Sequence, residues 1–538
     1  MGNLPVPLRA TYRLQLTPDF GFAAARERIP YLRDLGISHL YLSPSLQARE
    51  GSQHGYDVVD PTRISADLGG ESALRELCDA AHAAGLGIVL DIVPNHMATD
   101  DANPFWTDPQ LRERFFDVDR TTGHYRRFFD VDDLAGVRQE DPAVFETTHR
   151  LVLSLVHDGS VDALRIDHPD GLADPAHYLA SLRERGAEVV WIEKILEASE
   201  RLRDWPVAGT VGYEFLNDVC ALFVDSAAEP AFTALWRELS GDDRDFATVA
   251  AQAKLEQAET TFMREVQRLA ALSDVPGGAG ALACAVASFP VYRSYVRPEE
   301  GAVADADREA VTSATEMPDE VAQMLLLERP ASAEFVTRFQ QTTPPVVAKG
   351  VEDTAFYRYA RLLALCDVGG DPGRFGIGAE RFHEANAERA RRFPQAMLTT
   401  MTHDTKRSAD VRARMAALTW VPELWEERVR RWLELSEPLR RDGAPDDLER
   451  YFLFQTLAGA WPIEADRVRA YMEKALREAK RNTNWVDPNA EWESAVMDFI
   501  VGVYDHGELR AELDRFARDL TFPADCVTLR SVALKLTS

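Results

Sequence analysis

The 538-residue chain is 46% hydrophobic and 28% charged, the make-up of a folded globular protein rather than a disordered or fibrous one. Its 88 acidic against 60 basic residues leave a net charge of −28, which repels phosphate backbones and anionic bilayers. Neither a nucleic acid nor a membrane is therefore expected as a partner, whereas a neutral ligand such as a sugar is unaffected.

Five widely spaced cysteines (Cys78, Cys220, Cys284, Cys366 and Cys526) form no metal knuckle and suit a reducing, cytoplasmic compartment. The first ten residues lack a basic stretch followed by an apolar run, so no signal peptide is expected.

Short β-rich apolar runs then recur along the chain: Ala10–Leu16, His39–Pro44, Gly87–His96, Val161–His168, Glu188–Leu196, Thr210–Asn217 and Met397–Asp404. Their continuous Ile, Val and Leu content predicts strands covered on both faces, as in parallel sheets. Helical periodicity fills the linkers. Leu74, Leu77, Cys78 and Ala81 lie three to four apart, and Gly85 stands in a helix-terminating position. Residues 225–395 interrupt the alternation with a mostly helical stretch, in which Leu255, Ala258, Phe262, Val266, Leu269 and Leu272 mark one helix face. The βα alternation predicts a closed barrel or a doubly wound sheet. No Gly-x-Gly-x-x-Gly turn follows an early strand, which disfavours the nucleotide-binding sheets.

Polar residues gather at the C-terminal ends of these runs: Asp91 and His96, Arg165 and Asp167, Glu193, then His403 and Asp404. In a barrel those ends form the active face. Cleaving a glycosidic bond takes two carboxyls, one to attack or activate water and one to protonate the leaving oxygen. Glu193 follows Val189, Val190, Trp191 and Ile192, where desolvation would raise its pKa and keep its proton. Asp167 lies two residues beyond Arg165 on the same strand face, so a guanidinium is expected to hold it ionised.

The segments Asp91–His96 (DIVPNH), Ala163–His168 (ALRIDH), Ile192–Leu196 (IEKIL) and Met401–Asp404 (MTHD) resemble, in order, the four signature regions of the α-amylase family. Longer stretches resemble one branch of that family, the maltooligosyl trehalose synthases: His54–Pro61, Tyr125–Gly136, Arg165–Asp174, Ala348–Tyr359 and Thr402–Arg414. The resemblance implies an α/β fold, a (β/α)8 TIM barrel carrying a helical insertion. It implies conversion of the reducing-end α-1,4 linkage of a malto-oligosaccharide to α,α-1,1 by a retaining intramolecular transfer. Asp167 is then the nucleophile, Glu193 the general acid/base and Asp404 the third carboxylate. Arg165 partners the nucleophile, Tyr56, His96 and His403 hold the sugar, His168 and Lys194 line the acceptor side, and Lys349 binds substrate. No cofactor is expected. Asn95 occupies a calcium-binding position of some relatives, but no acidic cluster accompanies it and no metal is expected. A maltooligosyl trehalose trehalohydrolase is the partner that the resemblance suggests.

Two departures bear on the product. Only 28 residues separate His96 from Tyr125, a shorter lid than in the resembled synthases. The chain also stops at Ser538, ahead of where that family's eighth strand and C-terminal β-domain are expected. The expected organisation is a first barrel part over residues 1–96, a shortened lid over 97–135, continued barrel over 136–224, the helical insertion over 225–395, and strand seven with following helices over 396–538. A short lid admitting water leaves open an α-1,4-glucan hydrolase or 4-α-glucanotransferase on the same barrel.

Overall fold

The computed structural model describes residues 6–120, 122–197 and 200–538. Six parallel strands pair in chain order: β1 (Thr11–Leu14), β2 (His39–Leu42), β3 (Gly87–Ile92), β4 (Ala163–Ile166), β5 (Val190–Ile192) and β6 (Gly209–Thr210). In β2 to β5 the side chains alternate between two buried faces, whereas β1 leaves Tyr12 exposed. Leu40, Leu42, Ile88, Leu90, Leu164, Ile166, Val190 and Ile192 pack outward in one core with the crossover helices. Tyr41, Val89, Ala163 and Trp191 pack inward in another. Burial on both sides explains why these runs read as continuous apolar sequence. Six parallel strands in chain order with helical crossovers are the arrangement of a TIM-type barrel.

The crossover helices follow from local sequence. Helix Gly70–Ala83 buries Leu74, Leu77, Cys78 and Ala81 against the sheet. It ends where Gly85 takes φ +77°, with Leu86 N–H bonded to Ala81 O and Gly85 N–H to His82 O. Those paired bonds satisfy the helix's last carbonyls. Helices Pro142–His157 and Pro175–Glu184 each begin with an Asp side chain (Asp141, Asp174) accepting first-turn N–H groups, followed by Pro at the first helical position.

Two strand expectations are corrected. The run Thr210–Asn217 is strand only at its start: Gly212 adopts φ +94° and helix Tyr213–Leu222 begins at once. The run Met397–Asp404 is not a strand. Met397 N–H reaches Thr210 O at 3.1 Å, the bond a seventh strand would begin with. Beyond it the threonines satisfy the local backbone themselves. Thr399 Oγ bonds Met401 N–H and O, and Thr402 Oγ accepts from Asp404 N–H. Such bonds compete with a ladder.

Residues 225–395 are mostly helical, and the predicted face from Leu255 to Leu272 is split between helices Phe246–Glu259 and Met263–Ala271, with its apolar residues still sharing one core. Helix Ala333–Val347 runs on into a π-helix, Ala348–Ala355. The largest core joins residues 220–253 and 355–375 with helices between 409 and 537, so the helices on either side of residue 395 pack together. The lid is a three-stranded sheet of His96–Ala98, Val131–Gly136 and Arg127–Phe128. Among the described residues no single helix is long and apolar enough to cross a membrane.

Gly212 is where the sheet meets the segment leading to Asp404. A Cβ there would stand 2.4 Å from Met397 O and 3.1 Å from Thr399 N. Gly212→Ala is expected to destabilise the protein by at least ~1 kcal/mol through the left-handed backbone alone, with the contact adding to it. Denaturant unfolding checks this, and an unchanged midpoint would refute it.

Candidate active site

Along the inner face of the sheet, apolar residues give way to polar ones toward the strands' C-terminal ends. Val89 is followed by Asp91, Ala163 by Arg165 and Asp167, and Trp191 by Glu193. Register puts Asp91 beside Arg165 and Arg165 beside Trp191. The period of two and the parallel alignment therefore bring three carboxyls and one guanidinium together.

Arg165, 1% exposed, is the centre of this group. Its Nη1 donates to Asp91 Oδ1 at 2.9 Å and to Asp167 Oδ1 at 2.7 Å, and its Nη2 lies 3.4 Å from Glu193 Oε2. Tyr56 and Tyr41 hydroxyls donate to Asp91 Oδ2 at 2.8 and 3.2 Å. Asp91 is thus a buried anchor for Arg165 and Tyr56.

Burial raises the pKa of Glu193, as its apolar run predicted, and the charge of Asp404 adds to the effect. Burial also raises Asp167, with the Glu193 charge adding and Arg165 opposing. The expectation that the neighbouring guanidinium holds the Asp167 pKa down is therefore corrected: burial outweighs Arg165, which is divided among three carboxylates. Asp167 and Glu193 titrate as a pair. The 2.7 Å bond to Asp167 against 3.4 Å to Glu193 favours leaving the shared proton on Glu193. The N–H of His168 also donates to Glu193 Oε2 at 2.9 Å, aimed there by a left-handed backbone at φ 40°.

Asp404 stands across the site. Its Oδ2 accepts from the Tyr213 hydroxyl at 2.9 Å and lies 3.2 Å from His403 Nε2, which in turn is 2.8 Å from the Tyr56 hydroxyl. The Tyr56 and His403 rings stack with centroids 5.5 Å apart. Close polar contacts thus run from Asp404 past His403 to the Tyr56 hydroxyl, and hydrogen bonds run on from there to Asp91 and Arg165. His96 is fully buried, stacks on Phe128 of the lid at 4.0 Å and leaves its Nε2 without a partner. Desolvation lowers His96 to about 3 and His168 to about 4, so both are neutral at pH 7. A neutral imidazole suits a hydroxyl partner, donating or accepting as required.

Two predicted residues stand apart from this group. Lys194 is buried between Asp170 (3.2 Å) and Glu200 (3.1 Å), its ammonium also bonded to Ile195 O. Lys349, on the π-helix, pairs with Asp353 and with Asp130 at the lid tip. Three contributors escaped sequence reasoning. Tyr213 lay inside a misread strand, and Tyr41 and Arg13 sit in apolar runs that mark them only as strand residues; Arg13 Nη2 donates to the Tyr56 hydroxyl at 3.3 Å. Phe105 and Trp106 pack on Phe115, Phe116 and Tyr125 inside the lid. Asn95 presents Oδ1 and O to the guanidinium of Arg126 at 2.8 and 3.4 Å.

Residues 23–184 match the family model for the alpha amylase catalytic domain. A putative maltooligosyl trehalose synthase of Mycobacterium tuberculosis is 35% identical, over 99% of this chain and 80% of that protein. The structure of maltooligosyltrehalose synthase from Arthrobacter ramosus superposes with a TM-score of 0.90 at 36% identity, covering 98% of this chain and 79% of that one. A hypothetical maltooligosyl trehalose synthase of Sulfolobus tokodaii does so with a TM-score of 0.89 at 32% identity, covering 99% and 81%.

Since Asp167 and Glu193 share one proton, kcat/KM is expected to trace a bell whose alkaline limb lies above the ordinary carboxylate range, because burial and the Asp404 charge hold the proton on Glu193. Activity falls on the acid side as Asp167 takes a proton and on the alkaline side as Glu193 loses one. Glu193→Gln is expected to cost about 10²–10⁴-fold in kcat and to abolish the alkaline limb. A variant that kept that limb would exclude Glu193 as the acid.

Proposed function

Because the chain belongs to the maltooligosyl trehalose synthase family, we propose that it converts the reducing-end α-1,4 linkage of malto-oligosaccharides to α,α-1,1 by intramolecular transglucosylation. The observation that carries the reading at this chain's own residues is the buried Asp91–Arg165–Asp167–Glu193 cluster facing Asp404. It supplies one ionised and one protonated carboxyl side by side, the pairing that a retaining mechanism uses.

Asp167 attacks the anomeric carbon while Glu193 gives its proton to the departing 4-oxygen. The glycosidic bond breaks and a glycosyl–Asp167 ester forms. The freed glucose turns within the pocket and presents its 1-hydroxyl. Glu193, now ionised and held by the His168 N–H, takes that proton as the hydroxyl oxygen displaces Asp167 from the same carbon. Asp404 grips hydroxyls of the distorted ring from the opposite wall, and Tyr56, His96 and His403 hold the sugar in the reacting subsite. Lys349 acts at the lid-facing edge of the substrate cleft. Lys194 acts indirectly, bracing the acceptor side through Asp170 and Glu200.

Rotation without hydrolysis requires that water be kept out. The lid, though short, is tied down at three points, which supports transfer over hydrolysis. Phe128 lies on His96 and against His168. Arg127 pairs with Glu265 and donates to Thr261 O on the helical side. Asp130 pairs with Lys349. A trehalohydrolase acting on the product is the partner that completes this chemistry, and the cytoplasm is the compartment we assign.

Incubation with maltopentaose is expected to lower the reducing-end count at unchanged oligomer length. A rise in reducing ends with shorter sugars would make the enzyme a hydrolase. New longer and shorter oligomers at a constant count would make it a 4-α-glucanotransferase. Phe128→Ala is expected to raise the ratio of hydrolysis to transfer several-fold, read as free glucose against trehalose-terminated product; an unchanged ratio would remove the lid from the water barrier.

A further inference from the structure

The segment that carries Asp404 has almost no sheet to hold it. After the Met397 bond to Thr210, residues 398–404 make no ladder with β6, and Met401 and Asp404 are exposed. The carboxyl nevertheless has to meet a sugar ring from a defined direction. What holds this segment from behind is a pair of charged side chains that the mechanism does not use. Arg412, on helix Ala409–Ala417, is 3% exposed, and Asp367, in the turn after the 3-10 helix Leu363–Leu365, is 0% exposed.

Arg412 reaches three separate parts of the molecule. Its Nη1 donates to Thr400 O at 3.4 Å, its Nη2 to Leu216 O at 3.1 Å, and its Nε faces Asp367 Oδ2 at 3.5 Å as a buried ion pair. Asp367 in turn accepts the N–H of Lys406 on Oδ1 at 3.1 Å, with Val368 N–H on the same oxygen at 2.8 Å. The loop is thus gripped four residues before Asp404 by the arginine and two residues after it by the aspartate. Leu216 belongs to the helix whose first residue, Tyr213, donates to Asp404 itself. A planar guanidinium with several donors can span such a junction, and an ammonium cannot.

We propose that Arg412 and Asp367 form a buried brace that positions Asp404, acting through the backbone of residues 400–406 and never touching the sugar. The inference rests on the reading of Asp404 as the third carboxylate. Asp404 interacts with the distorted ring, so loosening the brace weakens transition-state contacts more than ground-state binding and lowers kcat at a steady KM.

The experiment compares Arg412→Lys, Asp367→Asn and Asp404→Asn, singly and with each brace variant combined with Asp404→Asn, on maltopentaose. Near-ultraviolet circular dichroism and the thermal midpoint report folding. We expect Arg412→Lys and Asp367→Asn each to lower kcat about 10- to 100-fold, the scale of an ångström-level misplacement, with KM within twofold. In the Asp404→Asn background the same substitutions are expected to have no further effect, because the group that they position is gone. A merely destabilising role would lower activity equally in both backgrounds and overturns the proposal, as does an unchanged kcat in a folded brace variant. If Arg412→Lys fails to fold, Asp367→Asn alone decides. Full activity in Asp404→Asn would instead sink the reading of Asp404 and leave that failure distinct from failure of the brace.

Discussion

One buried guanidinium organises the catalytic end of this molecule. Arg165 is removed from water and can stay charged only because carboxylates surround it, and they can stay charged only because it is there. Three anions around one cation leave an excess of negative charge that a proton must relieve. The acid and the nucleophile are therefore not two independently tuned groups but two halves of one titrating system. Asp91, bonded to Arg165, also fixes the hydroxyl of Tyr56, and Tyr56 fixes His403. Geometry and protonation at positions far apart in sequence are thus set by the same buried charge.

Much of this was legible in the sequence. Strands β2 to β5 announced themselves because both of their faces are covered, which makes their composition unambiguous. The residues at their ends were recognisable because a period of two and a parallel register leave a polar side chain only one place to go. Legibility failed where non-local or local bonds outweigh strand propensity. Met397–Asp404 has the β-branched content of a strand, yet its threonine hydroxyls turn back on their own backbone. Thr210–Asn217 looks extended until Gly212 reverses it into a helix. The pKa of Asp167 was misjudged because the sequence shows Arg165 beside it but not that Asp91 and Glu193 claim the same guanidinium. Tyr213 and Arg412 were missed for a related reason: the sequence reads Tyr213 as a strand residue, and nothing local shows that Arg412 reaches the Asp404 loop from its helix.

The enclosure of the site is a product of long-range packing. The lid sheet is small, and alone it would have little to hold it shut. Its root is fastened where Asp117 collects Arg126, Arg268 and Arg338, the last two from helices of the 225–395 stretch. Arg126 reaches from the same cluster to Asn95, next to His96. Helices inserted far downstream therefore decide how firmly a loop near residue 128 covers the sugar. Catalysis by the barrel and exclusion of water by the insertion are mechanically joined through a few arginines.

The hydrogen bond from His168 to Glu193 comes from the main chain, not from the imidazole. What the acid depends on at position 168 is a backbone angle, while the imidazole there packs against Phe128 and Phe129 of the lid. Glycine and asparagine tolerate that angle at least as well as histidine. The protein thus separates two properties at one codon: the main-chain bond to the acid needs only the backbone angle, while the side chain carries a contact with the lid.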